Sequence, residues 1–441
     1  MLELGLVIKY FTVCYHIGSK TTSLERIIFM NIRRFSFFII IIILTGLISA
    51  CSNMTRADSE TKPPDKVSGS PVVSNTSAPT STPVPTITST PTPTPTIAPT
   101  PTPEPTMESK ARIMLSTMTL SEKVGQLFFV RLRKEKGLED IKNYMPGGYI
   151  LFGEDFKEET KSSIQKLTAS YQSASAVPML IGVDEEGGIV NRISKYSAFR
   201  AVPFHSPMDL YKEGGFDLIR SDTLEKANLL LSIGINVNLA PVCDVSTDPK
   251  DFIYSRSFGQ SAKNTALYVQ NVIEVMKENK LGSTLKHFPG YGNNVDTHTG
   301  IAIDKRDYNT LTTSDFLPFE AGIQAGADSI LVSHNIVTSI DKKYPASLSP
   351  KIHAILREDL NFSGVIMTDD LSMDAIKDYT GDEEAAVQAI LAGNDLLIAT
   401  NFEQQIPAVI SAVEDGTIRE DRIDESVLRV LLWKFNLGIL K

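Results

Sequence analysis

The chain has 441 residues, a formal net charge of −9 and 6 histidines. The acidic balance argues against a nucleic-acid binder, which needs a basic surface. Its 3 cysteines, Cys14, Cys51 and Cys243, are too few and too scattered for a disulfide framework or a cysteine-based zinc site.

Residues 1–29 carry no targeting signal and read as an upstream extension ahead of a second start at Met30. Met30-Asn31-Ile32-Arg33-Arg34 is a basic segment, followed by an apolar run from Phe35 to Leu47 and then Ile48-Ser49-Ala50-Cys51. That order predicts a secretory signal over 30–50. The small residues before Cys51 resemble a bacterial lipobox, which implies lipidation of Cys51 and a place on the extracytoplasmic face of the cell membrane. A single spanning helix is the alternative, but the apolar run falls short of the roughly 20 residues a span needs.

From 51 to 106 the composition shifts to Pro, Thr and Ser, with more than half of the chain's 24 prolines. Such a segment cannot bury a core and is expected to be an extended tether. At ~3.1 Å per residue it reaches on the order of 150 Å, far enough to work on cell-wall polymer away from a membrane. A glycosylated stalk has the same composition.

Residues 107–441 suit one large domain. Apolar runs predict strands at Leu127–Leu132, Gly148–Phe152, Met179–Val183, Val237–Val242, Ser283–His287, Ser329–Ser333, Val365–Thr368 and Asp395–Ala399. Their lack of polar alternation fits a parallel sheet covered on both faces. Helices are expected between them, at Lys157–Ser173, Asp217–Ser232, Ala262–Glu278, Phe316–Ala325 and Glu383–Ala392. The rhythm predicts an α/β fold, a (β/α)8 TIM-type barrel, over a doubly wound sheet.

In such a barrel the active site gathers at the C-terminal strand ends. The polar residues there are Asp184-Glu185, Asp244, Lys286-His287, His334 and Asp369-Asp370. Asp369 suits a nucleophile or a stabiliser of a developing cation, or else a helix cap. Asp370 reads as the cap or a structural acceptor. In Asp296-Thr297-His298 the carboxylate can orient an imidazole that acts as general acid/base. Lys286 and His287 suit sugar hydroxyls, although His287 also reads as a core histidine. Arg256 suits a substrate oxygen or an acidic barrel residue. Asp184 is a candidate acceptor from substrate hydroxyls, with Gly187-Gly188 turning the backbone beneath it. His205 and His353 belong to no constellation.

Six motifs, taken together, resemble family 3 glycoside hydrolases, in their β-N-acetylhexosaminidase branch. They are Asp184-Glu185-Glu186-Gly187-Gly188, Asn238 to Val245, Arg256-Ser257-Phe258-Gly259, Lys286 to Gly290, Asp296-Thr297-His298 and Thr368 to Met373. The resemblance implies a (β/α)8 barrel and retaining hydrolysis, with Asp369 as nucleophile and His298 as acid/base paired to Asp296. It further implies that Asp184, Arg256, Lys286 and His287 contact an N-acetylglucosamine unit, and it implies no metal or organic cofactor. The chain resembles members without a second domain. Tyr291 stands where many members have His, and is expected to alter the loop carrying His298. Asp184-Glu185-Glu186 replaces the commoner Asp-Gln-Glu.

The expectation is a lipid-anchored, monomeric exo-β-N-acetylglucosaminidase acting on peptidoglycan-derived glycans or muropeptides. Four alternatives stay open. They are a substrate-assisted hexosaminidase using Asp184-Glu185, a metal-dependent hydrolase using His287, His334 and Asp369, a phosphorylase, and a non-catalytic tethered sugar-binding lipoprotein.

Overall fold

The structure, a computed structural model, describes residues 105–294, 302–377 and 379–441. The predicted signal, Cys51, nearly all of the tether, and Asp296 and His298 lie outside the described residues.

The strands, in chain order, are β1 (Phe128–Arg131), β2 (Gly148–Leu151), β3 (Leu180–Val183), β4 (Val237–Asn238), β5 (Gly282–Phe288), β6 (Ile303–Asp304), β7 (Ser329–Val332), β8 (Ile336–Val337), β9 (Val365–Thr368) and β10 (Leu397–Ala399). Eight of them form one sheet in the order β10-β1-β2-β3-β4-β5-β7-β9, with every neighbour parallel. A Met367–Leu396 bridge joins β9 to β10 and closes the ring. This is the expected (β/α)8 barrel. β6 and β8 form a separate parallel pair.

The eight predicted strands all form, and the helices Ala262–Glu278 and Phe316–Ala325 have the expected bounds. Two strands differ in extent. β4 stops at Asn238, because the chain turns through Ala240-Pro241, and proline offers no ladder N–H. β5 runs from Gly282 to Phe288, one residue beyond the expected strand at each end, with Lys286 and His287 inside it as expected.

Two apolar layers result. One lies between strands and outer helices; the other fills the barrel with Phe129, Ile150, Leu180, Leu331 and Met367. Phe129 fits because its neighbours across the sheet are Gly148 and Gly182, where a β-carbon would collide with its ring. The final helix, Glu420–Asn436, sends Trp433 into the same inner layer, beside Gly282 at the start of β5. Trp433 thus stoppers the N-terminal end of the barrel. Trp433→Ala is expected to cost about 3–5 kcal/mol of stability, through lost burial plus a cavity. Urea unfolding measures this, and turnover per folded molecule should change little because the site lies at the other end.

Cys243 is buried, and burial pushes its thiol well above the ordinary value, so it is inert. Among the described residues no helix is long and apolar enough to cross a membrane.

Candidate active site

Three acidic residues leave β3 in succession, and each ends in a different environment. Glu185 is fully buried and accepts from the backbone N–H groups of Arg192 (2.8 Å), Ile193 (2.8 Å) and Ser194 (3.1 Å), and from the Ser194 hydroxyl. It organises the loop and is not presented to a ligand, which removes the substrate-assisted alternative built on Asp184-Glu185. Glu186 is also buried. It accepts from Arg256 through Nε (3.0 Å) and Nη2 (2.7 Å), and it lies 2.6 Å from Lys286 Nζ. Burial by itself would raise the Glu186 carboxyl, but Lys286 and Arg256 outweigh it and hold the group below the ordinary carboxylate range. Asp184 keeps partial exposure and accepts from Lys286 Nζ at 2.6 Å.

The turn after Glu186 requires glycine. Gly187 and Gly188 have φ of 101° and 63°, and a β-carbon on Gly187 would strike the His205 carbonyl. The loop then folds back through a Gly187–Val190 bridge. That return brings Arg192 to within 3.8 Å of Asp184 and over the Phe152 ring, 5.6 Å from its centroid. Arg192 Nε is buried with no hydrogen-bond partner among the described residues.

His287 stands between a carboxylate and a guanidinium. Its Nδ1 is 2.8 Å from Asp244 Oδ2 and its Nε2 is 3.2 Å from Arg256 Nη2. Asp244, fully enclosed, also accepts the backbone N–H of His287 (3.1 Å) and of Tyr291 (2.7 Å). One buried carboxylate therefore fixes both the imidazole and the chain leaving β5. The Tyr291 ring packs edge-on against His287, centroids 5.1 Å apart.

Asp369 follows β9 and is half-buried, with Asp370 N–H donating to its Oδ1 at 2.8 Å. Asp370 is a structural acceptor, taking Ser372 N–H (2.9 Å) and the Thr400 hydroxyl (2.5 Å). His334 Nδ1 lies 2.7 Å from Ser347 Oγ and Nε2 lies 3.0 Å from the Asp370 carbonyl. With those nitrogens engaged and His287 Nδ1 on Asp244, the His287–His334–Asp369 metal set is not assembled. No other group of metal ligands occurs among the described residues. His205 is exposed, and His353 is buried with Nδ1 2.8 Å from the Ser349 carbonyl.

Asp184, Arg256, Lys286, His287 and Asp369 line one open cleft of about 430 Å³ at the C-terminal strand ends, together with Arg192 and Phe152. Its size suits a small organic ligand. Five of the seven residues expected to act on or hold substrate thus meet there; Asp296 and His298 are outside the described residues.

A family model described as the glycosyl hydrolase family 3 N terminal domain matches residues 119–432. The chain belongs to glycosyl hydrolase family 3. It is a glycoside hydrolase in the β-N-acetylhexosaminidase branch. Among its relatives is a β-hexosaminidase of Nitrosomonas eutropha, 31% identical over 283 residues, which cover 62% of this chain and 79% of that protein. Another is a β-hexosaminidase of Xanthomonas campestris pv. campestris, 34% identical over 262 residues, 58% of this chain and 77% of that one. Among solved structures, a family 3 β-N-acetylglucosaminidase from Paenibacillus sp. is 31% identical with a TM-score of 0.69, over 73% of this chain and 63% of that chain.

In this family 3 enzyme, three site residues were not legible as such in the sequence. Arg192 sits eight positions beyond Asp184, and only the double-glycine turn returns it to the cleft. Glu186 was visible as part of a motif but not as the counter-ion of Lys286 and Arg256. Asp244 was visible as a strand-end acid, and its grip on His287 and Tyr291 is purely tertiary.

Proposed function

We propose that the enzyme is an exo-acting, retaining β-N-acetylglucosaminidase that removes terminal N-acetylglucosamine from peptidoglycan-derived glycans. The observation that carries this reading is the convergence of Asp369 with Asp184, Arg256, Lys286 and His287 on one cleft. Names of relatives, β-hexosaminidases and a β-N-acetylglucosaminidase, support the sugar.

In this reading Asp369 attacks the anomeric carbon and forms a glycosyl ester as the glycosidic oxygen leaves. The His298 imidazolium, oriented by Asp296, gives that oxygen its proton. The neutral imidazole then takes a proton from water, which cleaves the ester with net retention. The usual retaining enzyme uses two carboxyl groups about 5–5.5 Å apart; here an imidazole replaces one of them. Asp184 and Lys286 present an acceptor and a donor on adjoining atoms, suited to neighbouring hydroxyls. Arg192 brings a guanidinium with an unfilled donor among the described residues, and Phe152 offers an apolar face.

Cys51 as lipid anchor and 51–106 as tether complete the proposal: a membrane-attached monomer reaching muropeptides outside the cell. Fractionation with radiolabelled palmitate tests the anchor, and Cys51→Ala should abolish both label and membrane association.

The activity is tested with 4-nitrophenyl N-acetyl-β-glucosaminide, following the released sugar by NMR. The expected first product is the β-anomer of free N-acetylglucosamine. Release of the α-anomer sinks the retaining mechanism. Formation of the sugar 1-phosphate in added phosphate would instead assign phosphorolysis.

A further inference from the structure

Lys226 is not among the residues that line the cleft, yet its ammonium is enclosed against the loop that carries Asp184 and Arg192 there. It sits on the helix Pro207–Ser232, one turn after Asp222, and the two side chains are 9% and 7% exposed. Its Nζ donates to Asp222 Oδ2 at 2.6 Å and to the Glu186 carbonyl at 3.2 Å, and it lies 5.0 Å from the centre of the Phe204 ring. A β-carbon on Gly187 would come within 3.4 Å of it. The cavity that Lys226 borders with Glu186, Asp222 and Tyr268 measures about 20 Å³, the room of one water, and gives the side chain little space to swing.

The peptide joining Glu186 to Gly187 is gripped from both sides. Its carbonyl accepts from Lys226, and its N–H, that of Gly187, donates to the Val190 carbonyl at 3.2 Å. The same carbonyl takes the Glu186 N–H at 3.0 Å. With φ of 101°, Gly187 has no β-carbon to stop this peptide rotating, so the partner of the Glu186 carbonyl decides which way it faces. Both arms of the loop depend on that peptide. Before it, the Glu186 carboxylate holds Lys286 and Arg256; after it, the chain returns through Val190 to Arg192. Asp222 offsets the charge of Lys226, so the pair brings a strong donor to the loop without adding net charge beside Glu186.

We propose that Lys226 is a positioning residue for sugar binding: by latching the Glu186–Gly187 peptide it fixes both arms of the loop at the cleft. This rests on the reading that Lys286, Arg256 and Arg192 hold the sugar. Its effect falls on the sugar in the ground state and the transition state alike, so its loss raises KM and leaves kcat nearly unchanged.

The test titrates the full chain with N-acetylglucosamine in a calorimeter, where the stoichiometry counts folded sites. Thermal melting and steady-state kinetics on 4-nitrophenyl N-acetyl-β-glucosaminide accompany it. Lys226→Met removes the donor but strands the Asp222 carboxylate. Lys226→Met/Asp222→Leu removes the pair together, a change that folds often tolerate. Both variants are expected to bind the sugar ~10-fold more weakly, the scale of one buried hydrogen bond to a charged group, with the kinetic loss in KM. Lys226→Arg, which can reach both acceptors, should recover most of the affinity. The double variant separates a latch from a mere counter-ion, because it should melt close to the parent and still bind weakly. If it does not fold, Lys226→Met/Asp222→Asn takes its place with the same expected result. A double variant that binds as tightly as the parent, or a loss confined to kcat, overturns the inference and leaves the proposed activity standing. Glu186→Gln serves as control: if it too binds as tightly as the parent, Lys286 and Arg256 do not hold the sugar, and the inference falls with that reading.

Discussion

Replacing Asp369 by alanine is expected to lower kcat/KM by ~10⁴-fold or more, the scale on which removal of a catalytic nucleophile is felt. The position explains the magnitude. Asp369 leaves β9 at the mouth of the barrel, with its backbone N–H donating to the Val332 carbonyl at 3.1 Å and the Asp370 N–H donating to its carboxylate at 2.8 Å. A carboxylate fixed to two strands holds its attack geometry without reorganising, and that is where most of the advantage of an enzymic nucleophile lies. Incubation with a slow 2-fluoro-type glycosyl substrate, followed by mass spectrometry, should find the sugar esterified to Asp369. A label on another residue, or an Asp369→Ala variant within tenfold of the parent, would end the assignment.

The second large effect belongs to Glu186, which touches no substrate. Glu186→Gln removes the one carboxylate shared by Lys286 and Arg256, leaving two enclosed cations short of a counter-charge. Breaking a buried ion pair from one side costs about 3–5 kcal/mol. The pH dependence gives a sharper signature. A carboxyl whose folded pKa is depressed contributes stability that is full above its unfolded value, near 4.5, and drains away as pH falls below that value towards the folded one. The difference in unfolding free energy between parent and Glu186→Gln should therefore be constant from pH 7 to 5 and shrink below pH 4.5. A gap that stays the same down to pH 3 would mean the loss comes from packing and not from charge. Activity should also fall, since Lys286 and Arg256 border the cleft.

What could be read in advance follows from which forces are local. Parallel strands buried on both faces must be apolar throughout, so the ring was legible from runs such as Val365–Thr368. The helix Pro207–Ser232 begins ten residues before the expected Asp217, because a first helical segment precedes a break at Gly214 and Gly215, which reads in sequence as a terminus. β6 and β8 are two residues each and have no pattern to detect. In the site, strand-end position marked Asp184, Lys286, His287 and Asp369 correctly as cleft residues. Arg192 escaped notice because it sits on a loop, and a loop reveals its direction only through the turn that aims it.

Filling the barrel from Phe129 down to Trp433 has a further consequence for a glycosidase. The cleft is a cul-de-sac, so everything enters and leaves by one opening. In the reading proposed above, a sugar held by Lys286 is blocked below and waits for the group it was joined to. Departure is thus ordered by architecture: the aglycone goes first, water comes in behind it, and the freed sugar backs out last.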